Sequence, residues 1–271
     1  MAFGRVNPPG LVYKIDLSKI ADRANPRTVE NAIHAQTSAG GYTIDWGDGT
    51  TEVYAANSAV HPTHTYAEGA GDVFTVVIRS ATGTIPRPQF CNSLSNSENT
   101  NPTFNLTLAV VSIDHFAGWA GTQSSEGNNG YNYACKSLTY TDPRFFGLPR
   151  WRSARWAFKQ SGITQPLASF CFDFCVADGE YTYEHTFHSA QVSGDIPAGI
   201  FAQNTASKSF AATFYGCSAL TGPPFVFWKE DGTLDTAKYP NLTTGASCYS
   251  ACSAALRAQV PEAYGGTMTV S

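Results

Sequence analysis

The chain has 271 residues, a formal net charge of −4 and only 14% charged residues, against roughly 25% in an average soluble domain. That length allows two modest domains or one large β domain, and the weak charge excludes a global field drawing the chain to nucleic acid or an anionic membrane. No apolar run approaches the roughly 18 residues of a spanning helix, so no membrane-inserted helix is expected.

Residues 1–10, ending in Asn7-Pro8-Pro9-Gly10, read as an irregular arm. The opening "MAFGRVNPPGLVYKIDL" lacks a basic segment followed by an apolar stretch. It does not read as a secretory signal, and a chain beginning there is expected to stay in the cytoplasm where it is made. Residues 11–82 read as strands. "LVYKIDL" and "YTIDW" alternate apolar and polar, as half-buried strands do, and "DVFTVVIRS" is β-branched and aromatic. "RTVENAIHAQT" (27–37) also allows a helix, through Val29 and Ile33. Residues 83–105, rich in Pro, Asn, Ser and Thr, read as a linker. "LTLAVVSI" (106–113) resumes as an apolar strand, and residues 106–271 form the second structured segment.

"YTIDWGDGTTEVY" poses a choice between a corner and a metal site. Asp-Gly is a strong turn signal, because Gly accepts positive φ and Asp bonds its own backbone. The stretch contains Trp46-Gly47-Asp48-Gly49, followed by His64-Thr65-Tyr66, Gly71 and a β-rich run. These motifs resemble a PKD domain, an immunoglobulin-like β-sandwich, over residues 11–82. The resemblance implies that Trp46, Gly47, Asp48, Gly49, His64 and Tyr66 build a structural turn, with Trp46 pointing inward and the His64/Tyr66 pair bracing the loop. A calcium site at Asp45 and Asp48 is the alternative, although the ligand series of an EF-hand is absent.

The second segment carries a degenerate repeat. An aromatic residue, two residues and a small residue recur as Phe158/Ser161, Phe187/Ala190, Phe214/Cys217 and Tyr249/Cys252. An apolar residue follows (Ile163, Val192, Leu220, Leu256), then Pro166, Pro197, Pro223 or Pro261. The anchors stand 29, 27 and 35 residues apart, which suits stacked coils. "YACKSLTYTDPRFF" (133–146) reads as an earlier, atypical turn. The pattern, clearest in "TFYGCSALTGPPFVF", resembles the BspA-like leucine-rich repeats. That resemblance implies a solenoid of short strands and helical turns whose core holds Phe158, Phe187, Phe214, Cys217, Leu220, Tyr249 and Cys252.

The cysteine count is seven, an odd number without the spacing of a disulfide-stapled domain. Most read as reduced, buried, small apolar residues. Cys171, Cys175, His185 and His188 are ligand types that suit zinc. The histidines bracket the core anchor Phe187, however, and in a strand or turn two residues so placed are expected to face opposite sides; no metal is therefore assigned. "PRFFGLPRWRSARW" is the one basic-aromatic stretch, and Arg144, Arg150, Trp151, Arg152 and Arg155 form a candidate interaction surface for protein rather than nucleic acid. No Gly-x-Ser-x-Gly, His-Glu-x-x-His or phosphate-binding loop occurs, so neither catalysis nor a cofactor is expected.

The resulting expectation is a mainly β chain: an N-terminal PKD-like sandwich and a C-terminal repeat solenoid. Both resemblances imply surface display modules. A display protein without an export signal fits a bacteriophage virion, as a head decoration, collar or tail-fibre component made in the host cytoplasm. Its expected partners are other virion proteins, copies of itself, and a host surface protein or glycan. A bacterial cell-surface adhesin and a module of a carbohydrate-active enzyme are the alternatives.

Overall fold

A computed structural model describes residues 10–22, 24–30, 32–34, 41–55, 62–80, 87–89, 109–117, 135–141, 153–170, 172 and 181–270. The fold is mainly β. Its strands are β1 (Gly10–Asp16), β2 (Thr28–Glu30), β3 (Ala32–His34), β4 (Tyr42–Asp45), β5 (Thr51–Tyr54), β6 (Thr63–Thr65), β7 (Val73–Ser80), β8 (Arg87–Gln89), β9 (Val110–Ala117), β10 (Tyr140–Thr141), β11 (Gly194–Asp195) and β12 (Leu220–Thr221). The expected arm (residues 1–10) and linker (residues 83–105) lie outside the described residues, apart from Gly10 in β1 and the short strand β8.

Strand alternation sets the first core. Leu11, Tyr13 and Ile15 of β1 are fully buried, as are Val76 of β7 and Ile44 of β4, while Lys14 is exposed. Six strands pair in the order β10-β9-β1-β7-β4-β5. β1 runs antiparallel to both β7 and β9, and its register against β9 shifts at two places. The apolar run after residue 105 thus supplies β9 to the sheet built by residues 11–82, and β10 adds a parallel edge beside it. Smaller sheets pair β2 with β6 and β3 with β8.

The helix allowed over 27–37 does not form, because β2 and β3 occupy that stretch. Arg27 explains the extended path. Its guanidinium donates to the backbone carbonyls of Tyr66 and Gly71 and to the Asp72 carboxylate. β-Branched Val29 is then buried opposite His64.

From residue 153 onward the backbone follows a different rule. The N–H groups of Ala154, Trp156, Phe158 and Gln160 donate to the carbonyls of Thr182, Glu184, Thr186 and His188 in the next coil. Between them, Ala157, Lys159 and Ser161 bond back three residues, to Ala154, Trp156 and Phe158. Overlapping β-turns therefore alternate with bonds to the neighbouring coil. The same scheme links 183–189 to 209–215 and 210–216 to 244–250. Each segment needs positive φ at two places four residues apart: Trp156 and Gln160, His185 and Ser189, Ala212 and Gly216, Ser247 and Ala251. Only one of the eight is glycine. Left-handed backbone costs a non-Gly residue about 1–2 kcal/mol, offset here by the bonds between coils.

Side chains repeat with the backbone. The rings of Phe158 and Phe187 stack at 5.3 Å, Phe187 and Phe214 at 5.9 Å, and Phe214 and Tyr249 at 5.5 Å. Ile163, Val192, Leu220 and Leu256 are buried beside them. Pro166, Pro197 and Pro261 each open a turn closed by a bond from three residues on, as their fixed φ favours. Residues 135–141 form the first coil described: Gly162 donates to the Cys135 carbonyl, and β10 continues from there into the sheet.

Candidate functional site

Two clusters of polar side chains stand out. The first is the Trp46–Gly49 turn. The Asp45 carboxylate accepts the Gly47 N–H at 3.0 Å, and Asp48 Oδ1 accepts the Thr50 N–H at 2.9 Å. His64 Nε2 lies 2.8 Å from Asp48 Oδ2, and its ring stacks on the fully buried Trp46 at 4.9 Å. The Tyr66 hydroxyl donates to the Trp46 carbonyl at 3.0 Å. Burial pushes the Asp48 carboxyl up, but hydrogen bonds from His64 and Thr50 outweigh it and hold the group below the usual carboxylate range. Both aspartates thus bind the turn's own backbone, and Asp48 also takes His64. The remaining oxygen, Asp45 Oδ2, stands 3.9 Å from Arg79.

The second cluster lies on the outer face of the coils. Arg155 bonds Glu184 at 2.8 Å and packs its guanidinium over Trp156 and Tyr181, 4.3 and 3.9 Å from the ring centroids. In the next coil His185 and His188 meet, with Nδ1 atoms 2.8 Å apart. This corrects the expectation that they face opposite sides. The bond from the His188 N–H to the His185 carbonyl closes a turn that has positive φ at His185, and this brings the two rings together on one side. His188 stacks on Tyr215 of the following coil at 4.5 Å, and His185 lies 6.3 Å from Trp156 of the preceding one. Burial pushes both imidazoles down to about 4, helped by the nearby Lys159 cation and, for His185, by His188 and Arg155.

No protein-family model, curated protein or solved structure matches the chain.

Among the described residues, no three His, Cys, Asp or Glu side chains gather as a metal-ligand set. Cys171 and Cys175 lie outside the described residues, as do Cys91, Arg144, Arg150, Trp151 and Arg152. Of the predicted basic-aromatic surface, Arg155 is described, and its side chain is 19% exposed. Cys135, Cys217, Cys248 and Cys252 are free thiols, all buried. The Cys217 thiol donates to the Phe187 carbonyl at 2.9 Å and the Cys252 thiol to that of Phe214 at 3.0 Å, so the small repeat residue bonds the coil before its own. Burial pushes the Cys217 thiol well up, and pushes Cys252 up to about 11.

Sequence reasoning missed two features. One is Gln165, whose side chain closes the edge of β10. The other is an outer groove beside Gln160, Ser189, Gln191 and Ser218. Aligning the repeats by their aromatic anchors puts Gln160, Ser189, Gly216 and Ala251 in one column, and that column signals a continuous outer face.

Proposed function

We propose that the chain is a non-catalytic display and assembly component of a bacteriophage particle, built as a PKD-like sandwich continued by a BspA-like solenoid. The observation that carries this reading is the joint at β10. The sheet passes into the coil stack through hydrogen bonds at Thr141 and Gln165, which suits a stiff arm holding one end at a particle and presenting the other. Coil-to-coil backbone bonds and the four-ring aromatic stack supply stiffness along the arm. The close polar pairs have structural partners: Asp48 with His64, Arg155 with Glu184. The particle setting comes from the resemblances, since both module types occur in virion and bacterial surface proteins. In this reading the partners are other virion proteins, further copies of the chain, and a protein or glycan on the host surface.

Mass spectrometry of particles purified through a density gradient tests the proposal. The chain is expected at a fixed ratio to the major capsid protein across fractions. Its absence from particles, with recovery in peptides shaved from intact cells, would assign it instead to a bacterial adhesin.

A further inference from the structure

We propose that the outer groove of the coil stack binds a neutral glycan chain, an inference that rests on the display reading above. Two adjoining hollows, of about 560 and 290 Å³, share Ser189 and Gln191 and so run across successive coils. The longer one continues past Thr164, Ser193 and Ser218. Lys136, at one end, is the one ionisable side chain among the lining residues.

The lining chemistry selects the ligand. The side chains of Gln160, Ser189, Gln191 and Ser218 make no hydrogen bond to other described residues. Each can donate and accept, as a sugar hydroxyl can. Ser161 lines the same groove at 1% exposure, and its hydroxyl has no hydrogen-bond partner among the described residues. At the equivalent place two coils on, the Cys217 thiol does have one, the Phe187 carbonyl. The Ser161 hydroxyl lies beneath the groove surface, closed to a ligand in this conformation, so the exposed side chains of Gln160, Ser189, Gln191 and Ser218 carry the recognition.

Other ligand classes fit less well. An added peptide strand needs free main-chain donors along an edge. The N–H groups of Gln160, Ser189, Gln191 and Gly216 are already bonded to His188, Tyr215, Ser161 and Ser250. A nucleic acid or acidic polysaccharide needs a row of cations, and among its described lining residues the groove offers Lys136 alone. The coil step, seen in ring separations of 5.3 and 5.9 Å, is comparable to one sugar unit of an extended chain. Gln160 and Ser189, equivalent in successive coils, would then meet successive sugars.

The test presents the full chain to a printed panel of neutral hexose and N-acetylhexosamine oligomers, two to six units long. Ser218→Trp and Gln191→Ala are compared with the unchanged protein, and thermal melting checks their folding; both positions are exposed. Saturable binding to a panel glycan is expected, weakened about tenfold by Gln191→Ala and abolished by Ser218→Trp, with melting unchanged. No binding to any neutral oligomer, or binding that both variants leave intact, overturns the assignment. So does preferential binding of an acidic glycan or a displayed peptide that Ser218→Trp blocks. Particle association is read separately: a chain on particles yet blind to glycans fails this inference alone, and a glycan binder absent from particles fails the virion reading alone.

Discussion

The side chain of Gln165 takes the place of a strand beside Thr141. Its Oε1 accepts the Thr141 N–H at 2.6 Å, and its Nε2 donates to the Thr141 carbonyl at 3.0 Å. Thr141 is fully buried and Gln165 nearly so. One residue later, Pro166 bridges in parallel to Ser193, and β11 pairs with β12 beyond. The parallel pairing that begins with β9 and β10 is thus carried from the sheet into the coils by one amide.

Gln165→Leu keeps the volume and removes both bonds. Two buried backbone groups lose their partners, and a loss of about 2–4 kcal/mol is expected. Denaturant unfolding measures it, and amide exchange at Thr141 should accelerate relative to Val76. An unchanged unfolding midpoint would show that the joint carries no stability.

Gly47 and Gly49 separate two causes of turn rigidity. Both have positive φ, 83° and 94°. A Cβ at Gly49 would meet nothing within 4 Å, whereas one at Gly47 would fall 2.4 Å from the Thr75 carbonyl oxygen. Gly49→Ala should cost about 1 kcal/mol through backbone strain, and Gly47→Ala about 2–5 kcal/mol through strain plus overlap. A calcium chelator should leave the melting temperature of the unchanged protein where it is. Equal costs for the two substitutions, or a chelator-induced drop of several degrees, would contradict the structural-corner account.

Much of this corner was legible in the sequence. Asp-Gly turn chemistry, period-two alternation in β1 and the aromatic anchors all act over short range, so residue order records them. The pairing of β9 with β1 was not legible, because strand partners far apart leave no local signal. Neither was the meeting of His185 and His188. Opposite faces are expected of them in a strand or an ordinary turn, but Ser189 and His185 adopt positive φ without being glycine, so the succession of turns carried no sequence mark. Gln165 was overlooked for a related reason: a side chain standing in for backbone looks like any other polar residue.

The histidine pair gives a pH dependence with a definite sign. Both imidazoles fall from an ordinary value of 6.5 to about 4 in the folded state. Their contribution is complete above about pH 6.5 and is lost as pH falls toward 4, because the unfolded chain binds the protons first. Around the pair stand Glu184, Arg155 and Lys159, and Asp48 acts in the same direction in a lower window, below the usual carboxylate range. His185→Asn/His188→Asn should flatten stability between pH 6.5 and 4.5, where the unchanged protein takes up as many as about two extra protons on unfolding. Urea unfolding at three pH values checks this. Parallel curves for the two proteins would contradict it.

Ala251 offers a gain in stability. It is exposed, with φ at 58°, and the equivalent residue one coil earlier is Gly216. Ala251→Gly should stabilise by up to about 1 kcal/mol, the relief of left-handed strain less the added freedom of the unfolded chain. A lower melting temperature would show that the φ of this turn is not strained.

The buried thiols predict slow chemistry. Cys217, Cys248 and Cys252 are at most 7% exposed, and burial pushes all three thiols up. Intact-mass alkylation should leave them unlabelled in the native protein and label them in denaturant. Rapid native labelling at these positions would mean that the stack opens easily.

The most direct test of the display account is immunogold electron microscopy with an antibody to this chain, applied to purified phage particles and to intact cells of the strain that yields them. Gold at one regular position on the particles is the predicted result, and it would separate head from tail. Gold on the cells with clean particles would contradict the virion account.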